Sequence, residues 1–227
     1  MEYYYFLLDI LSLSCFMGTH YLLHNPIKKY FPKFTESQVI NLRTRVVSLI
    51  STSLILLGSY LYINRLISDI IYYYFMVSLK GYLYTDLIIT TLNYKSFKGN
   101  YIQNAIHHVM LICILNHSKF YNIKSVGLLC EYTNFHLYFG WYLIQIKREN
   151  TLSFKINAGC LLFSFYVLRV IMFTFVFYIS FYVGSSVEIV LLGLIAVLNY
   201  YWFGLLLKKV FKTFNNNPIN NNPINNN

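Results

Sequence analysis

Seven long apolar runs separated by short polar stretches follow one another along the chain, near residues 6–23, 46–64, 70–93, 102–117, 123–145, 156–183 and 187–207. A helix needs roughly 20 mostly apolar residues to cross a bilayer. The pattern therefore predicts an all-α polytopic membrane helical bundle of about seven transmembrane helices. The first run is preceded only by "MEYYY" and carries Asp9. It lacks the basic start and small-residue cleavage site of a secretory signal, so it reads as a retained helix. Loops are short except over 24–45, "HNPIKKYFPKFTESQVINLRTR", where two prolines and five cations predict a cytoplasmic connection. The pattern ends in "NNNPINNNPINNN", too poor in apolar residues to fold. A single transmembrane domain over 1–212 and a disordered Asn-rich tail over 213–227 are expected.

Composition supports a membrane solvent. The chain is 57% hydrophobic and 11% charged, against roughly 45–50% and about 25% in soluble domains. A net charge of +10 raises the question of nucleic acid, and the distribution of the cations answers it. With seven spans, one set of loops and tails holds Lys28, Lys29, Lys33, Arg43, Arg45, Lys95, Lys98, Lys147, Arg148, Lys155, Lys208, Lys209 and Lys212. The other holds Arg65, Lys119 and Lys124, so the balance is 13 against 3. Such asymmetry is the positive-inside rule, with the N-terminus outside and the C-terminus cytoplasmic. Membrane lipids, anionic headgroups among them, are the expected partners, and no nucleic acid. Cys15, Cys113, Cys130 and Cys160 all fall in predicted spans without a CxxC pair, which is the pattern of buried structural thiols.

The polar residues inside the spans carry the candidate chemistry. An ionisable side chain in a span costs roughly 2.5–3.5 kcal/mol on insertion scales, so those present face the bundle or a wet cavity. Asp86 lies in span three, His107 and His108 in span four, Glu131, Asn134 and His136 in span five, Arg169 in span six and Asn199 in span seven, with Lys80 also in span three. At about 1.5 Å per residue, Asp86 and the histidine pair both lie about 10 Å from the cytoplasmic ends of their spans and can meet. Glu131, Arg169 and Asn199 fall near the midplane, where a Glu131 to Arg169 pairing is expected. Successive helical residues point about 100° apart. One imidazole of the pair can line a cavity while the other bonds a neighbouring helix. A neutral imidazole there can act as general base toward an alcohol or amine, or as nucleophile. No metal is expected, because six histidines without an HxxHH pattern are too few for a di-iron site. His20 and His24 read as interfacial.

In this order the polar residues resemble the TLC domain (TRAM, Lag and CLN proteins), over about 40–212. The matching stretches are "RVVSLIST", "GYLYTDLIIT", "IHHVMLICIL", "VGLLCEYTNFHLYFGWYL", "YVLRVIMF" and "LNYYWFGLLLKK". The resemblance implies an endoplasmic-reticulum-type multispan protein acting on lipids. In its ceramide-synthase branch, an acyl group passes from acyl-CoA to a sphingoid amine at a site of paired histidines and two later aspartates. His107 and His108 match the pair. Glu131 and Asn134 stand where that branch has its aspartates, and Ser51 where a histidine is often found, which resembles the broader TLC-domain group instead.

The combined expectation is an acyl-CoA-dependent lipid acyltransferase. His107, His108 and Asp86 would be catalytic, and Glu131, Asn134, Arg169 and Asn199 would bind substrate. Acyl-CoA is the expected co-substrate, with no bound cofactor. The alternative is a non-enzymatic lipid-sensing protein or regulator of membrane lipid composition. A transporter is disfavoured because the sequence has neither an inverted repeat nor a pair of broken helices in corresponding halves.

Overall fold

The computed structural model describes residues 2–97, 101–117 and 121–215, and every regular element among them is helical. In chain order these are α1 (Glu2–Leu22), α2 (His24–Tyr30), α3 (Glu36–Ile63), α4 (Asp69–Leu92), α5 (Tyr101–His117), α6 (Tyr121–Leu128), α7 (Thr133–Gln145), α8 (Leu152–Ser164), α9 (Phe173–Val183) and α10 (Ser186–Asn215). A 3-10 turn, Leu129–Tyr132, joins α6 to α7, and a π-helical stretch, Phe165–Met172, joins α8 to α9. Each of these pairs makes one continuous helical rod. With α2 set aside, the rods number seven and correspond to the seven apolar runs.

The helices at Phe6–Tyr30, Glu36–Ile63, Leu152–Val183 and Ser186–Phe211 are each long and apolar enough to cross a membrane. The other three expected spans are compromised in recognisable ways. α4 carries Asp69, Lys80 and Asp86, α5 has 17 residues, and the α6–α7 rod is interrupted. Large apolar side chains cover the outside, among them Phe6, Leu57, Phe163, Phe175 and Val197. Such a surface suits hydrocarbon rather than water. The protein is an all-α integral membrane bundle.

Two boundaries differ from the expected ones. Span two begins at Glu36 rather than near 46, because "TESQ" closes a capping box. The Thr35 hydroxyl accepts from the Gln38 N–H, and the Gln38 side chain accepts from the Thr35 N–H. With α2 covering 24–30 and α3 covering 36–45, most of the expected 24–45 connection is therefore helix. At the other end α10 runs past 212 to Asn215. The rest of the expected disordered tail, 216–227, lies outside the described residues, as do Lys98 and Lys119 from the loop count.

Two apolar clusters meet on α5. One joins Phe16 of α1, Val47 and Ile55 of α3, and Met76, Leu79 and Leu83 of α4 to Ile112 and Leu115 of α5. The other joins Met110 and Ile114 of α5 to Phe173 of α9 and to Leu192, Ile195 and Ala196 of α10. α5 thus presents opposite faces to two groups of helices.

α1 is tied to α4 by an ion pair that the sequence reading left unmatched. Lys80 Nζ donates to Asp9 at 2.8 Å and lies 3.4 Å from Asn116 Oδ1 on α5. One helical position on, Gly81 lets the two backbones close, because a Cβ there would fall on the side chain and backbone of Ser12. Gly81→Ala is therefore expected to lower stability by about 1–3 kcal/mol, the usual cost of overpacking. Denaturant unfolding of the detergent-solubilised protein measures it, and an unchanged midpoint would show that α1 docks loosely. His20, expected at the interface, is buried within the bundle, with its Nε2 3.4 Å from the Thr44 hydroxyl.

Candidate functional site

His107 and His108 are adjacent on α5, and the helix sends their rings to different neighbours. The His108 Nδ1 lies 3.1 Å from Asp86 Oδ2 on α4, with the Tyr82 ring edge-on at 6.1 Å between centroids. His107 turns the other way, onto α10, where its ring meets Trp202 edge-on at 5.3 Å. The two imidazole centroids are 5.7 Å apart. The 100° step of the helix thus separates two environments: a carboxylate contact in the α4 layer and a hollow on the opposite side.

That hollow is a narrow cavity between α5, the α6–α7 rod, α9 and α10, with a volume of about 50 Å³. Its walls are apolar: Leu111, Ile114, Phe173, Val176, Leu192 and Ile195. Its two ends are polar. His107, Glu131, Arg169 and Asn199 close one end, and Lys124 and Glu188 line the other. From Glu188 to Asn199 along α10 the distance is roughly 16 Å, at about 1.5 Å per residue. The cavity is a narrow apolar passage with polar groups at each end.

The groups at the His107 end are buried, and two of them are unsatisfied. Among the described residues neither Nδ2 nor Oδ1 of Asn199, 1% exposed, has a hydrogen-bond partner, and the Nδ1 of His107 has none either. A buried polar group without a partner costs about 1–3 kcal/mol.

Glu131 and Arg169, by contrast, are spoken for. Arg169 Nη2 lies 3.5 Å from Glu131 Oε1 and 3.3 Å from Asn134 Oδ1, its Nε donates to Thr133 Oγ1 at 2.8 Å, and Asn134 Nδ2 donates to Glu131 Oε2 at 2.6 Å. The Phe165 and Trp202 rings lie 5.4 and 5.9 Å from the guanidinium carbon. Both charges sit where their helices lose regular winding, Glu131 in the 3-10 turn and Arg169 in the π stretch. Tighter or looser winding changes the direction in which a side chain leaves the helix, and such segments recur at functional sites. Neither irregularity contains proline. The irregular segments lie in consecutive spans, five and six, not in corresponding halves of the chain.

Of the expected constellation, the structure brings His107, Glu131, Arg169 and Asn199 to one cavity. Asn134 is half-buried and bonded to two of them. Asp86 and His108 form a separate pair in the neighbouring layer. Sequence reasoning missed Trp202, which packs on both His107 and Arg169, and the polar far end formed by Lys124 and Glu188. Trp202 carried no signal beyond its place in "LNYYWFGLLLKK". Glu188 was legible as the acidic member of "SSVE", since its carboxylate accepts from the Ser185 N–H while its own N–H donates to the Ser185 hydroxyl. Lys124 Nζ donates to the Leu115 carbonyl near the end of α5.

A family model for the TLC domain matches residues 3–208. The match takes in α1 and α2, ahead of the 40–212 over which the sequence motifs align. No curated protein and no solved structure matches the chain.

Proposed function

The chain belongs to the TLC-domain family, and from that premise we propose that it acts on membrane lipids as an acyl-CoA-dependent acyltransferase working at His107. The observation that carries this reading is the pairing of an apolar passage with an unpartnered imidazole and an unpartnered amide at its end. The acyl chain would lie along Leu111, Ile114, Phe173 and Val176, bringing the thioester carbonyl to His107. His107 takes the proton of the acceptor hydroxyl or amine as that group attacks. The C–S bond breaks and coenzyme A leaves as a thiolate, which takes the proton from His107, giving an ester or amide and free coenzyme A. The Asn199 amide, which lines the same cavity, would donate to the developing oxyanion. A thioester is already activated, so positioning, a base and one donor account for the required acceleration.

His108 and Asp86 would act as positioning residues in this scheme, fixing the α5 histidine pair against α4. Arg169, Glu131 and Asn134 would shape the polar end. The 13 to 3 cation asymmetry supports an orientation in which the His107 end lies nearer the cytoplasm, where acyl-CoA resides, in an endoplasmic-reticulum-type membrane.

A second reading, a lipid sensor or regulator of membrane lipid composition, is favoured by one observation. The Glu131 carboxylate is held by Arg169 and Asn134, and among the described residues no carboxylate pairs with His107. Lipid mass spectrometry of membranes expressing the wild type or the His107→Ala/His108→Ala double variant separates the two. An acylated product found only with the wild type is expected. Identical lipid profiles would remove the acyltransferase reading and leave the sensor.

A further inference from the structure

A second and roomier cavity opens between α3, α7 and the start of α8, with a volume of about 460 Å³. Leu42, Val46, Leu49, Phe135 and Phe139 give it apolar walls, and Arg45 is its cation. The Arg45 guanidinium carbon lies 4.4 Å from the Trp141 ring and 5.1 Å from that of Tyr138. Stacking on two rings holds the guanidinium plane and leaves its edge for acceptors. Among the described residues Arg45 pairs with no carboxylate, and its buried Nε has no hydrogen-bond partner. The polar side chains of the opposite wall are already engaged with each other, since Asn157 accepts at His136 Nδ1 at 3.1 Å and donates to the His136 carbonyl at 2.8 Å.

Depth narrows the choice of occupant. Arg45 is nine residues into α3, Tyr138 seven from the end of α7 and Asn157 five from the start of α8. At about 1.5 Å per residue all lie roughly 8–14 Å from the same end of the bundle, the end that also bears Lys147, Arg148 and Lys155. This is the level at which a headgroup passes into acyl chain. A planar cation with free donors in a dry aromatic setting matches the geometry of phosphate oxygens, and the walls match an acyl chain.

We propose that this cavity binds a phosphate-bearing amphiphile, with Arg45 as the phosphate ligand and the Leu42, Val46, Leu49, Phe135 and Phe139 walls holding its chain. The phosphate can come from a membrane phospholipid or from acyl-CoA. The site stands or falls independently of any reaction at His107. It is also joined to the histidine layer, because Tyr138 Oη and Ser48 Oγ are 2.8 Å apart and Tyr82 Oη donates to the same Ser48 at 2.8 Å, beside His108.

Native mass spectrometry of the purified full chain in detergent tests the proposal, with phosphatidic acid and diacylglycerol of the same chains as probes. The wild type is expected to retain phosphatidic acid at least tenfold better than diacylglycerol. Arg45→Gln is expected to abolish the difference and Arg45→Lys to retain part of it. Equal retention of the two lipids by the wild type overturns the proposal, as does an Arg45→Gln protein that folds and keeps the preference. If Arg45→Gln does not fold, fluorescence decides. Phosphatidic acid should perturb tryptophan emission in the wild type and not in Trp141→Phe, which keeps Trp202, and a perturbation that survives in Trp141→Phe overturns the site. Free coenzyme A added as competitor identifies the source. Displacement of phosphatidic acid supports the site as one for acyl-CoA, and persistence supports it as one for a membrane phospholipid.

Discussion

Replacing Arg169 by methionine is expected to destabilise the protein by about 3–5 kcal/mol, the cost of leaving one member of a buried ion pair alone. Glu131 and Arg169 are 8% and 5% exposed, and water does not reach them as it reaches a surface pair. Without the guanidinium, the Glu131 carboxylate keeps Asn134 and the weak Cys130 thiol donor, and Thr133 and Asn134 lose their Arg169 contacts. The double variant Arg169→Met/Glu131→Met should recover most of the loss, since a buried pair exchanged for apolar groups of similar volume is often neutral. Denaturant unfolding in detergent micelles measures both. If the double variant is as unstable as the single one, the pair is not the source of the loss, and the π stretch depends on Arg169 for another reason. The pair has a further consequence for the site: with its charges mutually engaged, the polar end of the cavity leaves the unpaired atoms of His107 and Asn199 to whatever enters.

Substitution of His107 by alanine is expected to lower acyl transfer at least 100-fold, at the lower edge of what a positioned base contributes. Stability should change far less, because the ring abuts a cavity and its Nδ1 has no partner to lose. His108→Ala and Asp86→Asn should behave alike, with smaller losses of activity accompanied by lower unfolding midpoints, since each removes one side of the 3.1 Å contact between α4 and α5. Acyl-product formation and unfolding are measured on the same preparations. Equal losses in His107→Ala and His108→Ala, or full activity in His107→Ala, would show that the chemistry does not reside where the cavity lies.

The seven rods were legible in the sequence because length and apolarity report the solvent directly. Their interruptions were not. The apolar pattern of "VGLLCEYTNF" and "YVLRVIMF" is compatible with continuous α-helix, and nothing local announces a 3-10 turn at Glu131 or π winding at Arg169. Those conformations place opposite charges from two rods together, which is a long-range condition. Lys80 shows the same limit. Its charge at mid-span signalled a partner, and the partner lies on α1, a helix that the sequence motifs did not include. The start of α3 is a different kind of miss, because the Thr35 and Gln38 capping box was present in "TESQ" and was passed over among prolines and cations.

The chain by itself determined an all-helical membrane bundle, the rods that compose it and the short set of polar residues inside it, since burial in hydrocarbon forces backbone groups to bond within each helix and makes every intramembrane charge conspicuous. The Glu131 to Arg169 pairing expected from depth is present, but tertiary structure alone decided that His107 faces an oily passage while its neighbour faces Asp86, and that the Arg45 Nε has no acceptor among the described residues. The reason is geometric: which way a side chain points depends on accumulated helical phase, bends and the packing of distant helices, none of which a linear pattern encodes.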